Sequence, residues 1–294
     1  RGRITGLPDT EKMNFDIVIN DLQTTSKDIY GFVPKGTIPA TITLPSIINL
    51  KGSAKGNVKN FNTNLNLASS FGNAKVIAMF DQSVKGREKY DADVTLSNFN
   101  VGQLIQNKAV GKVSVKAKVK GTGLNPKTAN AVAEVLLQQA EYNNYVYKNL
   151  NLKGQIKNSE FIVDAGMNDP NLTFGLDASG GFDGKYPAVK MKLNLDIADL
   201  QKLNLHAGPM KLRGNLDADI PTADPDYLNG EIAFDHLQIL TDKDPILLDS
   251  IKITAVSTAE RNSLNIKSQI LKANFDGKYK LTQLADAIQN TISK

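Results

Sequence analysis

Apolar and polar residues alternate along most of the chain, and the clearest case is the stretch Gly111–Lys120. Val113, Val115, Ala117 and Val119 occupy every second position, and lysine or serine stands between them. A period of two places alternate side chains on opposite faces of a strand. A helix with this sequence would spread its lysines around the whole circumference and would have no apolar stripe. The pattern therefore predicts a strand with one apolar face and one cationic face.

The same alternation returns in Phe61–Leu67, Ala74–Phe80, Tyr90–Leu96 and Ala131–Leu137. The last stretch is rich in good helix formers, which would also suit a helix. Its alternation and the hairpin predicted at Tyr142–Tyr147 favour a strand. From residue 47 onward the sequence thus predicts about fourteen strands in close succession.

The first fifty residues are less regular. Met13–Ile19 alternates as a strand, and Asp21–Tyr30 has the composition of a short helix. Pro34, Pro39 and Pro45 follow, and each removes a backbone donor. Extended segments of the kind found at sheet edges are expected there.

Short helical turns are predicted at Phe99–Lys108 and Ile197–Leu203, each directly after a strand. The end of the chain has the apolar spacing of a longer amphipathic helix. Its apolar positions are Leu281, Leu284, Ala285, Ile288 and Ile292.

The chain repeats itself at an interval of about 100 residues. Asn49–Gly52 recurs as Asn151–Gly154, and Phe61 has a counterpart in Phe161. Such repetition is typical of an array in which each unit packs mainly on its neighbours. The predicted organisation has four parts: an irregular segment with a strand, a short helix and prolines (1–48), a first repeat (49–150), a second repeat (151–250) and a partial third repeat with the terminal helix (251–294).

Short connections between consecutive strands predict an antiparallel meander. About fourteen strands are too many for a flat open sheet, so the sheet must curl, close or split. A sandwich would need long crossovers, and a barrel would need strict closure. Aromatic residues make up only 6% of the chain and Trp is absent, which disfavours a thick two-layered core. The predicted fold is therefore all-β: a long antiparallel meander of repeated units, curled into an elongated apolar groove, with short helices between the units.

Charge and candidate chemistry exclude several classes of function. The net charge of +5 is spread over dispersed lysines, whereas nucleic-acid binders cluster basic and aromatic residues. Cysteine is absent, and no apolar run approaches the roughly 18 residues of a membrane span. His206 and His236 lie thirty residues apart without carboxylates at metal-ligand spacing. Asp224–Glu231 lacks the spacing of a calcium loop and is interpreted as an acidic turn. The sequence therefore predicts neither an enzyme nor a cofactor or metal site.

The alternating strands, the Asn-Leu-Lys-Gly turns and the strand-terminal helical turns Val94–Leu104 and Leu193–Leu203 resemble the AsmA-like and TamB-like envelope proteins. The resemblance covers the chain from about Ile47 to its end. It implies a repeating β-groove in the periplasm of a diderm bacterium, as part of a protein whose inner-membrane anchor lies outside this segment. It also implies transport of phospholipid between inner and outer membranes, and a link to outer-membrane biogenesis with an outer-membrane β-barrel as a possible partner, as in a translocation and assembly module.

The apolar positions of the strands are the candidate site, since they would line the groove and hold phospholipid acyl chains. Two alternatives remain open: a scaffold that receives client strands at a sheet edge, and a passive β-solenoid spacer with a sealed interior. The lysine face of Lys112–Lys120 is interpreted as a solvated outer surface. This interpretation is favoured over a role in steering anionic head groups. The predicted lining residues are Leu65, Leu67, Val76, Ala78, Val94, Leu96, Val113, Val115, Ala117, Val119, Val135, Leu137, Val163, Phe174, Leu176, Met191, Leu193, Leu195, Phe234 and Ile253.

Overall fold

The structure, a computed structural model, describes residues 1–6, 9, 11–33, 36 and 38–283. The chain divides into two compact units, Arg1–Lys157 and Asn158–Lys294, referred to below as unit 1 and unit 2. The predicted boundaries between repeats stay predictions. Most of the predicted terminal helix, from Leu284 onward, lies outside the described residues.

The described part of unit 1 contains nine strands and two short helices. They are β1 (Gly2–Thr5), β2 (Asn14–Thr24), α1 (Ser26–Phe32), β3 (Ile48–Asn57), β4 (Asn60–Ser69), β5 (Gly72–Asp81), β6 (Lys89–Asn100), α2 (Val101–Ile105), β7 (Val110–Thr122), β8 (Asn130–Tyr142) and β9 (Tyr145–Lys157). Each strand pairs antiparallel with the next in the chain.

Among its described residues, unit 2 contains eight strands, which are also paired antiparallel in chain order. They are β10 (Glu160–Asp169), β11 (Leu172–Gly181), β12 (Ala188–Asp199), β13 (Met210–Thr222), β14 (Asn229–Thr241), β15 (Ile246–Ser257), β16 (Asn262–Ser268) and β17 (Lys272–Gly277). The predicted all-β antiparallel meander is confirmed, including β8, whose composition also suited a helix.

The bounds of the strands repeat along the chain. Each strand from β4 to β8 begins 99 or 100 residues before its counterpart from β10 to β14. The helical elements repeat too, since α2 follows β6 and a hydrogen-bonded turn at 200–204 follows β12. The interval found in the sequence is therefore an interval between equivalent strands, and one repeat contains six strands and one helical turn.

The N-terminal region differs from the prediction in one element. The helix expected at Asp21–Tyr30 begins at Ser26, because β2 continues to Thr24 and its last residues pair with β3. A capping box fixes the start of α1: the Thr25 hydroxyl accepts from the Asp28 amide, and the Asp28 carboxylate accepts from the Thr25 amide. The first part of the chain therefore belongs to the sheet of unit 1.

Fully buried apolar side chains are few. In the described residues they are Ile48, Phe99, Ala129, Ala165, Met167, Ala198, Leu203, Ala218, Leu248 and Ala255. Five of the ten are alanine, and the larger ones lie at or near strand ends. A two-layered sandwich of this length would bury whole rows of large side chains along its strands. The residues that the structure describes form no such core in either unit.

One strand position depends on glycine. Gly52 in β3 has φ +138°, and a Cβ built there would lie 1.9 Å from the carbonyl oxygen of Asn64 on the neighbouring strand. We expect Gly52→Ala to lower the free energy of unfolding by about 2 kcal/mol, because both the backbone conformation and the close approach exclude a side chain. Urea denaturation measures this loss.

Gly175→Ala is the matched control, since Gly175 lies within β11 and a Cβ there meets nothing within 4 Å. It should leave the stability unchanged or raise it slightly. Equal denaturation midpoints for the two variants would show that β3 relaxes around a side chain at position 52.

Candidate functional site

The register of unit 1 brings the predicted lining residues together on one face, here called the inner face of the unit. Residues opposite each other on successive strands form rows that run across the sheet. The central row from β2 to β9 is Ile19, Gly52, Leu65, Val76, Val94, Ala117, Val135 and Leu152. A second row beside it is Leu22, Leu50, Leu67, Ala74, Leu96, Val115, Leu137 and Leu150. Both rows are apolar from end to end.

The remaining predicted residues of unit 1 lie beside these rows. Ala78 and Val119 belong to a third row of mostly small residues, in which Thr63 and Ala92 also lie. Val113 pairs with Phe99, near the end of the strand. All twelve predicted residues of unit 1 therefore share the inner face.

Unit 2 has the same arrangement on its own inner face. One row is Val163, Ala178, Met191, Ala218, Ile232, Ile253, Ile266 and Ala273, and a second is Ala165, Leu176, Leu193, Leu216, Phe234, Ile251 and Ser268. Phe174 and Leu195 are paired in a third row, next to Met167. The eight predicted residues of this unit thus share one face as well.

The inner faces are crowded but not sealed. Of the twenty predicted lining residues, nineteen are half-buried and Val119 is exposed, with 37% of its surface accessible. Residues between them on the same strands, such as Lys116 and Asn66, are mostly exposed. If a second layer covered the inner face, these side chains would have a smaller accessible fraction than they do. Partial burial on one side is the result expected when a sheet curls toward its apolar face and leaves it open.

The opposite face, here called the outer face, is covered by cross-strand ion pairs. Lys118 and Lys120 on β7 lie 3.6 and 2.9 Å from Asp93 and Asp91 on β6. In unit 2, Lys190 on β12 lies 2.9 Å from Asp219 on β13, and this hydrogen bond raises the pKa of Lys190. Exposed pairs of this kind add little stability. They balance the charge of the lysine face, which favours the solvated outer surface over a surface that attracts anions.

Local cores close the strand ends at which the helical elements lie, here called the helical ends. In unit 1, Phe99 is 5% exposed and its ring meets that of Phe71 edge to face, with centroids 6.4 Å apart. The side chain of Asn100 accepts from the Gln103 amide and so starts α2.

The helical end of unit 2 is built in the same way. Leu203, within the turn at 200–204, is 1% exposed. The Asp199 carboxylate starts this turn by accepting from the Lys202 amide, and it also lies 3.3 Å from the Lys211 ammonium. The sequence predicted both helical turns but did not indicate that Phe99 and Leu203 are almost fully buried beside them.

The polar residues that the sequence analysis considers as candidate sites either make structural contacts or lie exposed. Asp224 accepts from the amides of Asp226 and Tyr227 and so caps its own turn. Glu231 pairs with Lys252 at 2.6 Å. His206 and His236 are both exposed, and His236 has φ +52° at a register shift between β13 and β14.

The described residues contain neither a cluster suited to a metal ion nor a membrane-spanning helix. No group of three or more His, Cys, Asp or Glu residues in this part of the chain is placed to hold a metal ion. No helix within the same residues is both long and apolar enough to cross a membrane.

Sequence reasoning missed part of the inner faces. Ile17, Ile19 and Leu22 on β2 extend the rows of unit 1, although the sequence predicts an irregular segment there. Ile232 and Ile251 extend those of unit 2. The alternation at Met13–Ile19 was the signal for β2. The prolines and the predicted helix that follow this stretch gave no indication that β2 pairs with β3.

Comparison with protein-family models, curated proteins and solved structures finds no match for this chain.

Proposed function

We propose that the inner faces shield the acyl chains of phospholipids during transport between the inner and outer membranes of a diderm bacterium. One observation carries this proposal: continuous apolar rows cross all the strands from β2 to β9 in unit 1, and apart from the exposed Leu22 they are half-buried without a covering layer. Exposed apolar surface of this extent is typical of a binding face. The eight-strand row of unit 2 adds a second such surface.

The free energy gained by burying an acyl chain is large enough for the proposed shielding of phospholipid. Moving an acyl chain from water to an apolar surface gains about 0.8 kcal/mol per buried methylene. A chain with about fourteen methylenes gains on the order of 11 kcal/mol before the cost of ordering it. Polar head groups would stay in water. The ion-paired outer face would keep the protein dissolved while the inner face holds lipid.

Location and partners follow from the resemblance described above. We place the chain in the periplasm, in a protein anchored in the inner membrane through a segment beyond this one. An outer-membrane β-barrel is the proposed protein partner. The charge pattern supports no role in nucleic-acid binding, since lysines of the outer face are paired with carboxylates.

The two alternatives receive less support from the residues. A passive spacer requires a sealed interior, whereas the predicted lining residues are half-buried or exposed. A strand-receiving scaffold favours a long, uncharged terminal strand. β17 has six residues and carries Lys272 and Asp276, and Asp276 is held by Arg261.

The direct test is to place a photocrosslinking amino acid on each face and to analyse the captured molecules by mass spectrometry. Probes at Val115, Val135, Phe174 and Leu193 should capture phospholipid in cells, because these positions lie on the inner faces. A probe at Lys116 should not, because it lies on the outer face next to Val115. Equal capture on both faces would remove the groove hypothesis, and capture of protein strands alone would favour the scaffold.

A further inference from the structure

A segment after the last described strand crosses one end of unit 2. Thr282 donates to the Asp226 carboxylate twice, from its hydroxyl at 2.8 Å and from its amide at 3.2 Å. Lys280 approaches the same carboxylate at 3.9 Å. Asp226 lies in the loop before β14, and Thr282 follows β17, so these contacts bridge the ends of four consecutive strands.

The chain length fits such a crossing. Three strand spacings of about 4.8 Å separate β14 from β17, which gives roughly 14 Å. The five residue steps from Gly277 to Thr282 span at most about 17 Å when extended. Residues 278–280 have no regular secondary structure as they pass the ends of β15 and β16. Leu281, Thr282 and Gln283 are helical, and the Gln283 amide donates to the Lys280 carbonyl oxygen at 3.0 Å.

The crossing segment directs its apolar side chains inward. Tyr279 and Leu281 are half-buried, and Lys278 and Lys280 between them are exposed. The Tyr279 hydroxyl donates to the Phe275 carbonyl oxygen at 3.0 Å. The backbone of Leu264 also hydrogen-bonds Tyr279, and burial is the main reason that the pKa of this phenol is raised. Leu264 and Phe275 are paired in the register of β16 and β17, and both are half-buried on the inner face.

In the loop before β14, the Asp226 carboxylate is available to accept from the crossing segment. Asp224 caps the loop, as described above, and leaves the Asp226 carboxylate to accept from Thr282. On the way across, the Asn262 side chain donates to the carbonyl oxygen of Tyr279. The segment is thus held at its middle by β16 and at its far end by the loop before β14.

We infer that Lys278–Gln283 is a latch, fastened at Asp226, whose release uncovers the inner face of unit 2 at Leu264 and Phe275. The closed state has the contacts at the Asp226 carboxylate in addition to those that hold Tyr279, so removing the carboxylate contacts favours the open state. The consequence for lipid entry rests on the proposed function. The latch itself does not, because its opening can be measured without lipid.

Thiol labelling provides that measurement, since the chain contains no cysteine of its own. Leu264→Cys places a single thiol on the residue whose backbone hydrogen-bonds Tyr279. Its rate of reaction with a maleimide should be low in the otherwise native chain and should rise about tenfold when Asp226→Ala is added, because the closed state then loses its charge-assisted hydrogen bonds. An unchanged rate would overturn the latch.

Two matched variants separate opening from unfolding. Ala178→Cys places the thiol on the inner face of β11, away from the latch, and its rate should not respond to Asp226→Ala. Asp224→Asn removes a charge from the same loop but keeps a capping side chain, and it should leave the rate at Leu264→Cys unchanged. If both thiols react faster in Asp226→Ala, the variant loosens the whole unit and the latch hypothesis fails.

A second readout uses the carboxylate itself. The hydrogen bond from the Thr282 side chain is the main cause that lowers the pKa of Asp226, and Lys280 lowers it further. Thr282→Val should therefore raise the pKa of Asp226 toward its ordinary value, measured by NMR titration. An Asp226 pKa that does not respond to Thr282→Val would place Thr282 away from the carboxylate in solution and would contradict the latch.

Discussion

Val115→Asp should reduce the transfer of fluorescent phospholipid between liposomes by about tenfold or more while the chain stays folded. Val115 lies in a central apolar row, opposite Leu96 on β6 and Leu137 on β8. A carboxylate there lies against every acyl chain that crosses the row, and its desolvation costs several kcal/mol. Without lipid, an open face lets water reach the carboxylate, so the strand survives.

Val132→Asp is the matched control for this prediction. Val132 lies on β8 with 50% of its surface exposed, opposite Lys120 and Gln155 on the outer face. The same substitution there should leave both transfer and stability unchanged. Circular dichroism confirms that each variant is folded before transfer is measured.

Each other outcome has a definite meaning. A folded Val115→Asp variant with normal transfer would show that this row does not contact the lipid. An unfolded one would show that the carboxylate had no access to water, and a spacer with a sealed interior would then explain the apolar rows better.

The strands were predictable because alternation is a local signal. Along β7, Lys112, Lys116, Lys118 and Lys120 are exposed and Val113, Val115 and Ala117 are half-buried, as the alternation in Gly111–Lys120 predicts; Ser114, which is buried, and Val119, which is exposed, depart from it. Because the chain repeats at an interval of about 100 residues, strands with a weaker alternation can be assigned from their counterparts in the other repeat. Even β8 could be assigned, since pairing with β7 and β9 outweighs the helix propensity of its Ala, Glu and Leu residues.

Contacts that depend on the register between strands could not be predicted from the sequence. Lys118 and Lys120 could be placed on the outer face, but their pairing with Asp93 and Asp91 requires the alignment of β6 with β7. The start of α1 depended on competition between a helix and the ladder of β2 with β3, and the ladder prevailed up to Thr24. The crossing to Asp226 joins residues 56 positions apart, and no periodic signal marks it.

The distribution of burial explains how a sheet with an open apolar face can be stable. Most of each inner face is half-buried, so most of its side chains gain only part of their transfer free energy on folding; Ala165 and Ala218 in unit 2 are buried exceptions. The helical ends are different, because Phe99 and Leu203 are almost fully buried there. We infer that these local cores anchor the repeats, while the centre of each face stays available for ligand.

Leu203→Ala should therefore lower the free energy of unfolding by about 3 kcal/mol, as expected when a fully buried leucine is truncated. Leu203 is 1% exposed, and its amide donates to the Asp199 carbonyl oxygen at 3.0 Å within the turn. Leu205→Ala is the control from the same turn: Leu205 is 55% exposed, and its loss should cost less than about 0.5 kcal/mol. Urea denaturation of both variants gives the comparison. If Leu203→Ala costs no more than Leu205→Ala, the helical ends are not the anchors, and the stability of unit 2 must come from its inner face. That result would also weaken the proposal of an open groove, because a face that supplies the stability cannot be left free for lipid.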